Sequence, residues 1–376
     1  NILVKGCFFV LLKASSFRCV ETQINRFSCP AKAGLFLFLG GVCKMGRQTK
    51  MNKITTPELI AQILPANRAL QKEFLAYLKG INRSSGTISG YENDLDIFFV
   101  WNYKENNNRP FQKINKRDLV RYQSWLINDN ENSPSRVRRL RSAISSLSNY
   151  VENIIADEDE DFAGFRSIVK KIEAPPLEKT REKTVWSKEE IEDLLSKLVE
   201  MQEYEKACYL ALAAYSGRRK SELFRFKVEY FDDAHLIAEG KLYYTPKIKT
   251  KGRGRDGKML SAYVLVGGFK PYLDLWLESR KENGIESEWL FPCPDDKTKH
   301  REANIANSWS ATYSRLSGQP AYIHSYRHFL ASELLRMGFP DSVVVEMFGW
   351  SSADMLRIYD DRPKSDMVED SVAKLF

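Results

Sequence analysis

The sequence has few of the residues on which metal and hydrolase chemistry depends. Its 376 residues include only four histidines, and the close pair His324 and His328 lacks the H-E-x-x-H pattern of a zinc peptidase. It contains neither a G-x-x-x-x-G-K-[ST] loop for a nucleoside triphosphate nor the G-x-S-x-G elbow of a serine hydrolase. We therefore expect no metal and no nucleotide cofactor, and chemistry carried by Arg, Lys, His and Tyr.

Cysteines and long apolar runs are also scarce. Four of the six cysteines lie in the first fifty residues without a C-x-x-C pair, which leaves Cys208 and Cys293 in the rest of the chain. The runs CFFVLL and GLFLFLGGV, also in the first fifty residues, are too short to span a bilayer. These features predict a protein of a reducing cytoplasm, without disulfides and without a membrane partner.

The first fifty residues differ from the rest in charge. They hold eight Lys/Arg and one acid, Glu21, whereas the remaining residues carry 49 bases and 48 acids. A basic start before an apolar run fits a poor signal peptide. We favour the interpretation that Met51 is the natural start and that residues 1–50 are a non-native or upstream segment. The net charge of +8 then does not by itself indicate a nucleic-acid partner.

The apolar spacing divides the remaining chain into two domains and a linker. Residues 65–170 have helical periodicity, with Ile88 and Leu95 on one apolar stripe. A polar, proline-containing linker is expected at 171–184. The second domain is expected to occupy residues 185–376 and to include a C-terminal tail.

Strands are predicted in only one part of the second domain. Ser187 and Glu190 form the pattern of a capping box at its start, and residues 204–227 have a helical pattern. Residues 228–268 contain the strand candidates KLYYTPKIK and LSAYVLV, separated by the basic, glycine-rich TKGRGRDGKM. From residue 269 onward the pattern is mostly helical again. The predicted fold class is therefore mainly α with a small antiparallel sheet.

Arginines are clustered on one helix of the first domain. Ser133 or Ser135 beside Pro134 predicts the start of this helix. Four arginines then occur within six residues without an acid, and small hydroxyl residues follow. Such a run usually marks a solvated face, but its composition also suits phosphate contacts with DNA. The candidate DNA-binding residues are Arg136, Arg138, Arg139 and Arg141, with Lys251 and Arg253 from the basic turn.

Four segments of the second domain carry candidate chemistry. Each has an ordinary explanation when taken alone: a surface arginine pair, a solvated hairpin, a structural histidine and core aromatics. The segments are YSGRRKSEL at 215–223, PKIKTKGRGR at 246–255, HSYRH at 324–328, and the Trp350–Tyr359 pair within EMFGWSSADMLRIYDD.

Together, these segments resemble the catalytic domain of the tyrosine recombinases, also called phage-type integrases. The likeness extends over residues 65–376 and is strongest over 185–360. The family pattern consists of G-x-R-x-x-E-L, a hairpin Lys, H-x-x-R, and G-[H/W] followed by a Tyr nine residues later. In this sequence the matching residues are, in the same order, Gly217, Arg219, Glu222 and Leu223, then Lys249, then His324 and Arg327, and finally Gly349, Trp350 and Tyr359. Lys247, Lys249 and Lys251 share one strand face, so each is a candidate for the hairpin position.

The resemblance implies a role for each matching residue. Tyr359 would be the nucleophile that becomes linked to a DNA 3′-phosphate, without ATP, and His324 would assist removal of its proton. Arg219 and Arg327 would hold the phosphate oxygens, which suits bidentate and always-charged guanidiniums. A hairpin lysine would protonate the departing 5′-oxygen. Trp350 would donate its indole N–H to the phosphate, and Glu222 would support Arg219.

The resemblance also implies the fold and the partners. It predicts an N-terminal helical core-binding (SAM-like) domain and a mixed α/β catalytic domain that together clamp double-stranded DNA attachment sites. Four copies would act on two sites, and the free protein would be a monomer or weakly associated. The expected function is integration or excision of a mobile element in the cytoplasm of a prokaryotic cell or phage host. The alternatives are a catalytically silent DNA-binding regulator, a type IB topoisomerase-like enzyme and a nonenzymatic helical interaction protein.

Overall fold

The described chain folds around two separate hydrophobic cores. One core is formed by buried residues between Ile63 and Ile168, and the other by buried residues between Trp186 and Tyr359. Most of the described residues are helical and the strands are short, so the predicted fold class is confirmed. The computed structural model describes residues 54–170, 172–177, 184–252 and 257–360, together with residues 365, 369 and 372.

Helices alone build the first core. Phe98, Trp101 and Tyr122 are almost wholly buried at its centre and contact one another through their rings. Two of the helices continue into a π-helical turn, at Trp125–Asp129 and Val151–Ile155. The α-helices are α1 (Pro57–Ala61), α2 (Pro65–Gly80), α3 (Ser85–Glu105), α4 (Lys116–Ser124) and α5 (Pro134–Tyr150), with 3₁₀ turns at Phe111–Lys113 and Glu160–Phe162.

Local capping explains where these helices begin. The Ser84 side chain caps α3, and Asn115 and Asp118 form a capping box at the start of α4. Ser133 caps α5, and Pro134 occupies its first position, where its missing N–H costs no helical hydrogen bond. The predicted helix start beside Pro134 is therefore confirmed, with Ser133 as the cap.

The second core combines helices with five short strands. Its α-helices are α6 (Lys188–Glu200), α7 (Tyr204–Ser216), α8 (Lys220–Leu223), α9 (Val266–Glu282), α10 (Ile305–Ser317), α11 (Ile323–Arg336), α12 (Asp341–Phe348) and α13 (Leu356–Tyr359). Its strands are β1 (Leu236–Ile237), β2 (Leu242–Tyr244), β3 (Ile248–Thr250), β4 (Lys258–Leu260) and β5 (Tyr263–Leu265), with 3₁₀ turns at Val228–Phe231, Asp233–His235 and Ala353–Met355. The capping box predicted at Ser187 and Glu190 is present at the start of α6.

The strands form two antiparallel sheets. One sheet has the order β1–β2–β5, and the other is the β3–β4 hairpin. In the hairpin, Lys249 lies opposite Met259. Ile248 and Thr250 are buried while Lys249 between them is exposed, as the alternation of a strand requires. Within the described residues, no helix has both the length and the apolar content needed to cross a membrane.

The structure differs from the sequence prediction at two points where a predicted helix or strand is interrupted. The helix predicted over 204–227 ends at Gly217, which has a φ of +59°. A Cβ at this glycine would also lie only 2.6 Å from the ring of Phe348. The strand predicted for KLYYTPKIK is divided at Pro246, so that β2 and β3 belong to different sheets.

Candidate active site

The hydroxyl of Tyr359 lies 2.8 Å from Nε2 of His324. Tyr359 ends α13, and His324 is in the first turn of α11. The tyrosine ring is 5% exposed and packs against His328, with ring centroids 4.4 Å apart, and against Trp350, with centroids 4.8 Å apart. The fold therefore joins a tyrosine hydroxyl to an imidazole across 35 residues of sequence.

His324 is held in its neutral form. Partial desolvation of the imidazole is the main cause that lowers its pKa to about 4, and electrostatic interactions with His328, Arg327 and Arg219 lower it further. The residue as a whole is exposed, but its Nε2 faces the tyrosine hydroxyl. At neutral pH this nitrogen can therefore accept a proton from Tyr359.

Arg327 is completely buried beneath the aromatic side chains. Its guanidinium donates to the carbonyl oxygens of Gly217 and Phe348, and it lies 5.2 Å from the ring of Trp350 and 5.4 Å from that of Tyr359. Burial lowers its pKa to about 10, so it stays charged at neutral pH. Its Nε has no hydrogen-bond partner among the described residues, which leaves this donor unused.

Arg219 is the more accessible of the two candidate clamp residues. It precedes α8, and its guanidinium donates to Oε1 of Glu222 at 3.1 Å, while its backbone N–H donates to Oε2 at 3.2 Å. Glu222 is fully buried, whereas 30% of the Arg219 side chain is exposed. A cavity of about 1030 Å³ is lined by Arg219, His324 and residues of α10. Solvent can therefore reach Arg219 and His324 from the same side.

Trp350 is near Tyr359, but its indole N–H is turned away from solvent. The ring stacks on Phe348 with centroids 4.5 Å apart, and Nε1 is buried without a partner among the described residues. A buried donor without a partner is unfavourable, and a hydrogen bond from this N–H to a ligand would remove that cost. For Trp350 to contact a phosphate as predicted, its ring would have to shift from this position.

The candidate lysines lie on the β3–β4 hairpin, outside the cluster around Tyr359. Lys247, Lys249 and Lys251 are all exposed. The hairpin reaches the cluster through its backbone, because the N–H of Lys251 donates to Oε1 of Glu222 at 3.5 Å. In the part of the chain that the structure describes, no hydrogen bond or ion pair joins the Lys249 ammonium to the other candidate residues.

Two arginines of the α5 cluster are neutralised by a carboxylate that sequence spacing did not associate with them. Asp94 of α3 accepts from Arg136 at 2.7 Å and from Arg139 at 2.9 Å, and its own side chain is only 5% exposed. The arginine run contains no acid in its own sequence, but the fold places Asp94 of α3 next to it. The charge that this surface offers to DNA is smaller than the four arginines suggest.

The other two arginines of the cluster bind the segment that follows the first core. Arg138 donates to the carbonyl of Pro175 at 2.7 Å, and Arg141 donates to that of Ile172 at 2.6 Å. Burial lowers the pKa of Arg141. These contacts place part of the expected linker on α5. Arg253, the remaining DNA-binding candidate, lies outside the described residues.

Two further residues at the site carried a weak sequence signal. Arg218 precedes the predicted Arg219 but is 2% exposed, so it is not part of a surface pair. His328 stacks on Tyr359 and lies one helical turn from His324, a spacing that we considered only as a metal motif. Among the described residues, no group of His, Cys, Asp or Glu side chains is arranged to hold a metal ion.

Comparison with known families gives two matches along the chain. A model described as "Phage integrase family" matches residues 185–365. A second, described as "Phage integrase, N-terminal SAM-like domain", matches residues 70–156. The SPbeta prophage-derived recombinase-like protein YomM of Bacillus subtilis (strain 168) is 32% identical over 246 residues, which are 65% of this chain and 70% of that protein.

Solved structures share the fold at low sequence identity. One is the XerH site-specific recombinase bound to palindromic difH substrate in a post-cleavage complex, with a TM-score of 0.58 and 18% identity, covering 76% of this chain and 79% of that one. Another is a lambda integrase tetramer bound to a Holliday junction, with a TM-score of 0.56 and 14% identity, covering 78% of this chain and 77% of that one.

Proposed function

Because the chain belongs to the phage integrase family of tyrosine recombinases, we propose that it cleaves and rejoins DNA at specific sites through a covalent 3′-phosphotyrosine intermediate. The observation that carries this proposal is the 2.8 Å contact between the Tyr359 hydroxyl and Nε2 of a neutral His324. A neutral imidazole can take the tyrosine proton, which a protonated one cannot.

The proposed reaction exchanges one phosphate ester for another. The oxygen of Tyr359 forms a bond to the scissile phosphorus, its proton passes to His324, and the bond from phosphorus to the 5′-oxygen breaks. A hairpin lysine, with Lys249 as our first choice, protonates that 5′-oxygen as it departs. Rejoining reverses each transfer with a 5′-hydroxyl as the nucleophile, so the energy of the phosphodiester is conserved.

Two guanidiniums supply the charge that the transition state needs. Arg219 and Arg327 hold the nonbridging oxygens, with Glu222 fixing the orientation of Arg219. Arg327 is completely covered in the DNA-free structure, so the rings of Trp350 and Tyr359 move to admit the phosphate. The unused donors on Arg327 and Trp350 then gain the phosphate oxygens as partners.

The proposed substrate is a pair of double-stranded DNA attachment sites on which four copies of the chain assemble. One crystal structure of lambda integrase is a tetramer bound to a Holliday junction, and it is our basis for proposing four copies here. The helices around the first core form the core-binding domain of residues 65–170, and residues 185–376 form the catalytic domain. Integration or excision of a mobile element is the proposed role.

A suicide DNA substrate tests the proposed chemistry. A pool of duplexes with a randomised core, nicked so that the short product strand is lost after cleavage, is incubated with the protein and then denatured. We expect protein–DNA adducts from the unsubstituted protein and none from Tyr359→Phe, because only the nucleophilic oxygen is removed. Sequencing the trapped DNA gives a defined duplex on which rates are then measured.

Tyr326→Phe is the matched control for this experiment. Tyr326 lies beside Arg327 on α11 and is fully buried, and its hydroxyl has no partner among the described residues. Its loss should leave adduct formation unchanged. DNA binding without any adduct from the unsubstituted protein would instead indicate a catalytically silent regulator, and adducts without strand exchange between two sites would indicate topoisomerase-like activity.

A further inference from the structure

The β3–β4 hairpin is attached to the residues around α8 at three points of its backbone. The guanidinium of Arg218 donates to the carbonyl of Ser261, immediately after β4. The Glu222 carboxylate accepts from the N–H of Lys251, and Arg225 donates to the carbonyl of Lys249 on β3. Both strands of the hairpin are therefore fixed to the segment that contains Arg219.

Arg218 also holds the segment that leads to Trp350. Its guanidinium donates to the carbonyl of Met347 at 3.3 Å, and Arg327 donates to the next carbonyl, that of Phe348. These are among the last carbonyls of α12, which lack partners within the helix and lie at the negative end of its dipole. Two buried guanidiniums therefore occupy adjacent positions at this helix end.

The hairpin and the end of α12 are also in direct contact. Gly349 adopts a φ of +63°, and a Cβ at this position would lie 2.8 Å from Cδ1 of Leu260 on β4. Arg218 reaches across this contact, because its two acceptors, Ser261 and Met347, belong to the two segments that meet there. A shift of the hairpin against the α12 end would break one of these hydrogen bonds.

Burial gives Arg218 little freedom to act in any other way. It is 2% exposed, and desolvation lowers its pKa. Its guanidinium donates to two backbone carbonyls rather than to a carboxylate that could neutralise its charge. Its Nε has no hydrogen-bond partner among the described residues, so the two carbonyl contacts are what offsets the cost of burying the guanidinium. The hydrogen bonds to Ser261 and Met347 therefore hold the residue where it connects two segments.

We infer that Arg218 is a positioning residue that fixes the β3–β4 hairpin, and with it the lysine that protonates the leaving 5′-oxygen, relative to Trp350 and Tyr359. This inference rests on the proposed function. Loss of Arg218 should leave the nucleophile and the phosphate clamp in place but misplace the proton donor. The resulting defect should be confined to departure of the 5′-oxygen.

A substrate with sulfur in place of the 5′-bridging oxygen isolates that step, because a thiolate departs without receiving a proton. On the oxygen substrate, Arg218→Met should cleave about a hundredfold more slowly than the unsubstituted protein, which is the scale of a misplaced catalytic group. On the sulfur substrate, its rate should return to within about threefold of the unsubstituted protein. A purely structural defect would slow both substrates equally.

Arg280→Met is the matched control. Arg280 is 5% exposed and donates to the carbonyls of Ser287, Trp289 and Leu290, so it is also a buried arginine bound to backbone oxygens. Its loss should lower stability without selective rescue by sulfur. Should Arg218→Met fail to fold, Arg218→Lys keeps a buried cation that cannot reach both carbonyls, and the same selective rescue is expected.

The two outcomes that contradict the inference are distinguishable from failure of the proposed function. Suppose that the unsubstituted protein cleaves DNA. If an Arg218 variant is then slowed equally on both substrates, or is not slowed at all, the positioning role alone is overturned. No adduct from the unsubstituted protein on either substrate would overturn the proposed function and the positioning role with it.

Discussion

At the scale of single residues, the proposed role of His324 as a base depends on its neutral form. Its pKa of about 4 keeps it neutral over the range in which an ordinary histidine titrates. The main cause is partial desolvation of the imidazole, and its electrostatic interactions with His328, Arg327 and Arg219 also disfavour the charged form. Arg219 and Arg327, the arginines proposed to stabilise a phosphate, therefore also favour the neutral imidazole that the proposed proton transfer requires.

The first prediction concerns the pH dependence of cleavage. Because a lowered pKa keeps the neutral form down to low pH, the single-turnover rate on the suicide duplex should change little from about pH 7.5 to about pH 5.5. His324→Gln should slow cleavage about a hundredfold at neutral pH, since glutamine cannot accept the proton. His235→Gln, at an exposed pair with Asp232, is the control. A rate that follows a pKa near 6.5 would contradict the assignment.

The two clamp arginines should respond differently to the same substitution. Arg219→Lys should lower cleavage by about a hundredfold, the cost of one preorganised oxyanion donor, with little effect on stability. Arg327→Lys should lower cleavage similarly and also destabilise the fold by about 1–3 kcal/mol, because it leaves buried carbonyls of Gly217 and Phe348 without full partners. Cleavage and urea unfolding, measured side by side, check both expectations.

For these two variants, the decisive comparison is between the change in cleavage rate and the change in the free energy of unfolding. Near-normal cleavage by Arg219→Lys would remove Arg219 from the proposed clamp. Unchanged urea unfolding for Arg327→Lys would show that its carbonyl contacts do not support the fold.

At the scale of elements, the hairpin can be tested one lysine at a time. Lys247, Lys249 and Lys251 are all exposed, so burial does not distinguish them. We expect Lys249→Ala to slow cleavage most, and we expect the 5′-bridging sulfur substrate to restore the rate of that variant only, because only the proton donor is bypassed. Rescue of Lys251→Ala instead would move the role two residues along the chain.

Helix ends were predictable from sequence because capping depends on local residues. The Ser187–Glu190 box and the Ser133–Pro134 start of α5 each involve side chains within one turn of the cap. The short connection between α7 and α8 was not predicted, although Gly217 ends α7 in the left-handed conformation that favours glycine; only its close contact with Phe348 depends on a residue distant in sequence. Local sequence patterns therefore predicted where helices begin better than they predicted where a helix is interrupted.

Side-chain partners distant in sequence were the least predictable feature. Arg136 and Arg139 lie in a run without acids, and Asp94 faces them only because α3 packs against α5. Arg218 looked like half of a surface pair and is buried between Ser261 and Met347. The sequence pattern identified His324, Arg327, Trp350 and Tyr359, which are neighbours in the structure. It did not predict that the indole N–H of Trp350 is buried.

At the scale of the whole molecule, the proposed assembly depends on the chain beyond Tyr359. The sequence predicts a short helix capped by Ser365, with an apolar stripe that includes Val368 and Val372. Most of this tail lies outside the described residues. We propose that it docks on a neighbouring protomer on DNA and thereby forms a cyclic set of contacts among four copies, in preference to docking on its own catalytic domain.

Deleting residues 365–376 should therefore weaken cooperative assembly while preserving binding to a single site. Val372→Asp should reproduce this effect by placing a charge in the stripe, and Glu369→Gln at an exposed position is the control. Gel-shift titrations on one-site and two-site DNA measure the difference. Unchanged cooperativity after the deletion would rule out docking between protomers.

The chemical identity of the protein–DNA bond tests the central claim most directly. The adduct trapped on the suicide duplex is digested with nuclease and trypsin, and the peptide that retains a nucleotide is identified by mass spectrometry. We predict a 3′-nucleotide on Tyr359, within the tryptic peptide of residues 358–364, whose single tyrosine makes the assignment unambiguous. A nucleotide on any other residue, or a 5′-linked one, would contradict the account.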